Sequence, residues 1–151
     1  MKFKDSSIVS GAISGALNPD GEQAKEHAKQ YYKSVRRMKT DYKRIAKNTG
    51  FSVDEIKEIK EYIFLKKHDL GNGKLEYFVA SYDMAESWQR LIDGRNIQAH
   101  DLVLLNHEIM ERDLIRKSLT QDEAHKLASK KYTYAKGAKE YYDRIKKNKK
   151  G

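Results

Sequence analysis

The chain has 151 residues, no cysteine, a single proline and a formal net charge of +9. That length supports one domain with a modest core. The absence of cysteine excludes disulfides and thiolate metal sites, and no apolar run approaches the roughly 18 residues of a membrane span.

Residues 1–20 contain DSSIVSGAISGALN (5–18), a small-residue stretch with the short echo SGAISGA. It is expected to be a flexible arm or linker, and it lacks a secretory apolar segment. Pro19 follows, and Asp20 is placed to cap a long helix over about 21–48. The stripe of that helix is Ala24, Ala28, Tyr31, Val35, Met38, Tyr42 and Ile45, stepping by threes and fours, and Gly50 ends it. Ser52 and Glu55 form a capping-box pattern for a second helix, about 53–66, with Ile56, Ile59 and Ile63 facing inward. HDLGNGKLEYF (68–78) breaks that helix, and its GNG predicts a small loop or hairpin. Asp83 and Glu86 pair before MAESWQRLID, a short helix stopped by Gly94, in which Trp88 is a core anchor. A fourth helix spans 98–117. Thr120 and Glu123 box the start of a last long helix, about 121–147, leaving 148–151 as a frayed basic tail. The expected fold is all-α: one helical domain over 21–147, about five helices around a central buried helix at 98–117.

Charge is unevenly spread. Residues 1–50 hold 11 Lys+Arg against 5 Asp+Glu, residues 51–129 hold 11 against 15, and residues 130–151 hold 9 against 2. Basic ends attract polyanions, so nucleic acid is an expected partner of the terminal helices. KKYTYAKGAKEYY (130–142) reads as a packing face with a lysine rim, with base stacking as the alternative. The acidic, histidine-bearing middle suits a cation.

The fourth helix carries HDLVLLNHEIMERDL (100–114). At 100° per residue, His100, His107 and Glu111 share one stripe, and Glu108 lies beside it. Leu104 and Leu114 sit on that side, while Leu102, Leu105 and Ile109 cover the other. A helix apolar all round is buried, and its polar groups must then be paired. Three pairings are open. His107 and Glu111, at i and i+4, could hold a metal, zinc or manganese, with Glu108 as general base. The pattern is HExxE, a zincin-like helix with its second histidine replaced, and a third ligand would come from His68, His100, Asp83 or His125. Alternatively, His107 with Glu111 or Glu108 acts on a phosphodiester without metal, and Arg90, Arg95 or Lys130 holds the phosphate. In the third, a hydrogen-bonded network only fixes helix packing. His68 equally suits a helix C-terminus and Asp83 an N-cap.

KKHDLGNG (66–73), YDMAESWQRLIDGRNIQAHDL (82–102), LNHEIMERDL (105–114) and LTQDEAHKLASKKYTYAK (119–136) form a distinctive set. The block from Ile56 to Tyr142 resembles a C-terminal module of phage head-morphogenesis (minor capsid) proteins and the tips of Gram-positive polymorphic toxins. The resemblance implies a phage or prophage context and an effector at the end of a longer chain. A phage structural or immunity protein is then the expected partner, in the bacterial cytoplasm or on the virion. It places His68, Asp83, Trp88, His100, His107, Glu108, Glu111 and His125 among signature residues without assigning them roles. The functional expectation is a phage- or toxin-associated hydrolase: Glu108 and His107 catalytic, and a metal held by His107, Glu111 and one of His100, His68 or His125. Peptide bonds follow from the zincin likeness and nucleic acid from the basic ends. The alternatives are a metal-free nuclease and a non-catalytic DNA- or capsid-binding module.

Overall fold

Helices α1 (Glu22–Arg37), α2 (Asp41–Thr49), α3 (Val53–Lys60), α4 (Tyr82–Asp93), α5 (Ala99–Arg116), α6 (Gln121–Lys131) and α7 (Tyr134–Lys150) make up nearly all of the regular structure. The structure is a computed structural model describing residues 21–150, with side chains to 147. The expected arm over 1–20, the Asp20 cap and Gly151 lie outside the described residues. The domain is all-α, with seven α-helices among the described residues rather than about five. No helix of the described residues is long and apolar enough to cross a membrane.

The two extra helices come from two breaks. The expected helix over 21–48 is interrupted at Met38, whose backbone is extended (φ −70°, ψ 141°). Tertiary bonding explains the break. The Met38 carbonyl accepts from Lys60 Nζ at 2.7 Å, and the same ammonium binds Asp41 Oδ1 at 2.7 Å. Trp88 Nε1 donates to Asp41 Oδ2 at 3.0 Å. All three residues are buried. A continuous helix would have kept the Met38 carbonyl for its own ladder, and a buried ammonium needs such acceptors. Within α1, Tyr32 rather than Tyr31 completes the buried face with Ala24, Ala28 and Val35, and Tyr31 is half-buried.

The second break lies at Tyr132–Thr133, where Tyr132 turns extended (φ −121°, ψ 96°). α7 then runs to Lys150, past the expected end at 147. Within the second expected helix, α3 passes into a π-helical turn, Glu61–Leu65, which buries Tyr62, Ile63 and Phe64. The Ser52–Glu55 and Thr120–Glu123 capping boxes are both formed. α4 is capped by Ser81, which accepts from Met84 N at 3.3 Å, so Asp83 sits inside the first turn rather than at the cap.

The hairpin is small. Strands β1 (His68–Asp69) and β2 (Leu75–Glu76) pair antiparallel, His68 opposite Glu76. Asp69 Oδ1 accepts from the amides of Gly71 and Gly73, at 2.9 and 3.2 Å. Both glycines have positive φ, 106° and 78°, which they adopt without steric cost.

The main core gathers Tyr32, Val35, Ile45, Ile56, Phe64, Trp88 and Leu105. α5 packs against α3, α4, α6 and α7. It is not buried all round, since Leu102 is 38% exposed. Its contact with α7 is close: a Cβ added to Gly137 would lie 2.7 Å from His100 Cβ.

Candidate metal centre

α5 presents His107 and Glu111 one turn apart, and both are buried. The short link after α5 returns α6 alongside it, because the Thr120 box starts α6 at once. That brings His125 over the same turn. His125 Nδ1 lies 2.8 Å from Glu111 Oε1, and His107 Nε2 lies 3.2 Å from the same oxygen. The three donor atoms fall within 4.8 Å of one another. The two imidazoles meet edge to face, centroids 5.1 Å apart. His125 is 55% exposed, so the cluster opens to solvent on that side.

Two of the three donors, His107 and Glu111, are oriented from behind. His107 Nδ1 faces the Tyr132 carbonyl at 3.3 Å, a carbonyl released by the α6–α7 break. The Tyr62 hydroxyl donates a short hydrogen bond to Glu111 Oε2. His125 Nε2 lies 3.5 Å from Ser129 Oγ. Tyr62 comes from the π-helical turn, a distortion frequent at functional sites.

The electrostatics follow from these contacts. With Nδ1–H on the Tyr132 carbonyl, His107 Nε2 faces a carboxylate oxygen. Without a cation that nitrogen must also carry a proton. His107 is accordingly held above the usual imidazole range: burial opposes the charge, but Glu111, Glu108 and the Tyr132 carbonyl outweigh it. Burial pushes Glu111 up, but its bonds from His107, Tyr62 and His125 outweigh burial and hold it below the usual carboxylate range. Burial and then the charge of Glu111 push Glu108 up to about 8, against the pull of His107. Burial and the neighbouring Glu111 charge thus both favour the protonated form of Glu108.

The other expected ligands sit elsewhere. His100 shares the angular stripe but lies seven residues away, about 10 Å along the axis. Its Nε2 meets Arg90 Nη2 at 3.2 Å. Arg90 grips Asp101 through two bonds of 2.8 Å, and Asp101 Oδ2 also caps the Gln98 amide. Burial first, then Arg90, keeps His100 below its usual range although Asp101 pulls it up. His100 and Arg90 thus form a packing network with Tyr134 and Tyr141, and Arg90 is spent on Asp101 rather than free for phosphate. His68 Nε2 binds the Tyr62 carbonyl at 2.7 Å, and its ring stacks on Phe78 with centroids 4.1 Å apart. It supports Tyr62 and is not among the converging donors. Asp83 lies at the head of α4, outside the cluster. Arg95 and Lys130 are exposed. Of the four third-ligand candidates, only His125 joins His107 and Glu111.

Sequence reasoning missed Tyr62, Tyr132 and the buried Asp41–Lys60–Trp88 triad. The only signal for Tyr62 was its place in the second apolar helix, which gives no hint of the π-turn that aims it. Comparison with protein-family models, curated proteins and solved structures returns no match to this chain.

Proposed function

We propose that this chain is a metal-dependent hydrolase domain whose divalent cation, of the zinc or manganese class, is held by His107, Glu111 and His125. One observation carries the reading: three donor atoms converge within 4.8 Å, with His107 held from behind by the Tyr132 carbonyl and Glu111 by the Tyr62 hydroxyl. Two imidazoles and a carboxylate are a donor set suited to a catalytic metal that keeps an open position, and such orienting contacts tune the ligands. The cation would polarise a scissile carbonyl or phosphoryl oxygen. Glu108, next in the chain to His107, would take the proton from the attacking water and return it to the leaving group. The phage or toxin setting implied by the motif resemblance belongs to this proposal.

The test is calorimetric titration of the chelator-treated protein with zinc and with manganese, beside His125→Ala and Glu111→Gln. One equivalent bound by the parent and none by either variant is the expected result. Equal binding by all three would refute the proposed ligand set.

A second reading rests on the 2.8 Å His125–Glu111 contact alone. A carboxylate-oriented histidine with an exposed far nitrogen can act as a metal-free general base on a phosphodiester. Nuclease activity that persists in chelator and is lost in His125→Ala would favour it.

A further inference from the structure

A groove of about 630 Å³ runs between α1 and the segment from Tyr77 to Asp83. One wall is a row of cations. Lys25, Lys29 and Lys33 project from one face of α1 at steps of four residues, about 6 Å apart along the axis, and Arg36 continues the row. All three lysines are exposed. Lys25 meets the exposed Glu22, at 3.7 Å. Among the described residues, no acidic partner faces Lys29 or Lys33. Arg36 is fixed in place, Nε on the Phe64 carbonyl at 2.8 Å and guanidinium 3.9 Å over the Tyr77 ring. Among the described residues, Arg36 forms no ion pair with a carboxylate, and Asp83 is the acidic residue lining the groove. The floor and opposite wall are flat or apolar: Tyr77 is 39% exposed and Val79 is 86% exposed, and Phe78 and Tyr82 also line the groove.

We infer that this groove binds single-stranded nucleic acid, phosphates along the α1 cation row and bases over the Tyr77–Val79 floor. The row supplies evenly spaced positive charge, in excess over Glu22 and Asp83, to a polymer with evenly spaced negative charge. The floor supplies the exposed Val79 side chain and the Arg36–Tyr77 stack, an apolar and cation–π surface against which unpaired bases lie. A duplex would meet the cations but keep its bases from the floor. An acidic peptide carries no regular alternation of anionic backbone and planar apolar groups. The net charge of +9 adds long-range attraction. The inference is independent of the metal reading: the groove is built by α1 and the Tyr77–Asp83 segment, and the metal ligands come from α5 and α6.

The test is fluorescence anisotropy of the full chain with a labelled mixed-sequence single strand of about 20 nucleotides, titrated across salt from about 50 to 200 mM. The same strand in duplex form and a poly-glutamate competitor complete the set. Lys25→Gln, Lys29→Gln, Lys33→Gln is the groove variant, with its fold checked by circular dichroism. Lys146→Gln, Lys147→Gln is the control on α7. The expected result is single-strand binding preferred over duplex, weakened at least tenfold in the groove variant and unchanged in the control. The slope of log affinity against log salt should become shallower by about 2, since each neutralised phosphate contact contributes about 0.7. Any of three outcomes overturns the inference: no single-strand binding at low salt, loss confined to the α7 control, or displacement by poly-glutamate as readily as by unlabelled strand.

Discussion

Glu111 Oε1 receives His125 Nδ1 at 2.8 Å, and this contact, with the edge-to-face meeting of His125 and His107, joins α6 to the buried polar stripe of α5. It makes Glu111 the hub of the site, since the same oxygen faces His107 and the other accepts from Tyr62. Everything proposed for the centre turns on this carboxylate.

Tyr62 acts behind the ligands. Replacing it with phenylalanine keeps the ring packing and removes only the hydroxyl on Glu111. Zinc affinity should fall by about 10–100-fold, the usual effect of losing an orienting partner, with the fold intact. Calorimetry of Tyr62→Phe measures this directly, and unchanged affinity would show that the hydroxyl orients nothing.

The pH dependence of stability has a defined sign. Glu108 and His107 are both raised, so the folded cation-free protein keeps protons that the unfolded chain releases. For such groups stability is full at low pH and is lost as pH climbs from their ordinary values through their raised ones. Glu111 is lowered and acts oppositely, but only as pH falls through the carboxylate range. His68 and His100 are lowered and also act oppositely, up to the ordinary imidazole range. The window from about pH 7 to about pH 8 therefore belongs to Glu108 and His107. The Tm of metal-free protein should drop across it, and Glu108→Gln should flatten the drop. A parent Tm that rises there would contradict the assignment. Zinc binding should strengthen over the same window, because the cation displaces the His107 proton.

Asp41 holds two buried donors, Lys60 Nζ and Trp88 Nε1. Asp41→Ala strands a buried ammonium, and the expected loss is about 3–5 kcal/mol. Asp41→Leu with Lys60→Met removes both charges and should recover most of it. Urea denaturation of the three proteins distinguishes the outcomes. Metal binding in the double variant should match the parent.

The α5–α7 contact is limited by Gly137. Adding a methyl there places it 2.7 Å from His100 Cβ, and Gly137→Ala should cost about 1–3 kcal/mol. His100→Ala removes the Cγ-bearing ring but not Cβ, so the clash should persist in the double variant. A double-mutant cycle on thermal stability checks this. Because His100 bonds to Arg90 rather than to the cluster, His100→Ala should leave zinc stoichiometry at one.

The helical class, the Ser52–Glu55 and Thr120–Glu123 capping boxes and the hairpin at the GNG were legible in the sequence because each depends on local residues, whereas the expected Asp83–Glu86 pair gave way to Ser81 as the cap of α4. The two helix breaks were not. Neither Met38–Thr40 nor Tyr132–Thr133 carries proline or glycine, and the causes lie far along the chain: Lys60 for the first, the α5 contact for the second. The stripe of His100, His107 and Glu111 was correct in angle, but a projection down the axis hides the separation that gives His100 to Arg90. His125 could be named as a candidate but not chosen, since its position depends on how α6 folds back. The groove was also missed. The four-residue spacing of Lys25, Lys29 and Lys33 was visible, but the Tyr77–Asp83 segment opposite it was not.

The most direct measurement on the central claim is X-ray absorption at the zinc edge of stoichiometrically loaded protein, with His125→Ala alongside. The account predicts a low-coordinate shell of nitrogen and oxygen at about 2.0–2.2 Å with outer-sphere scattering from two imidazoles, reduced to one in the variant. A six-oxygen shell without imidazole scattering, or an identical spectrum from His125→Ala, would contradict it.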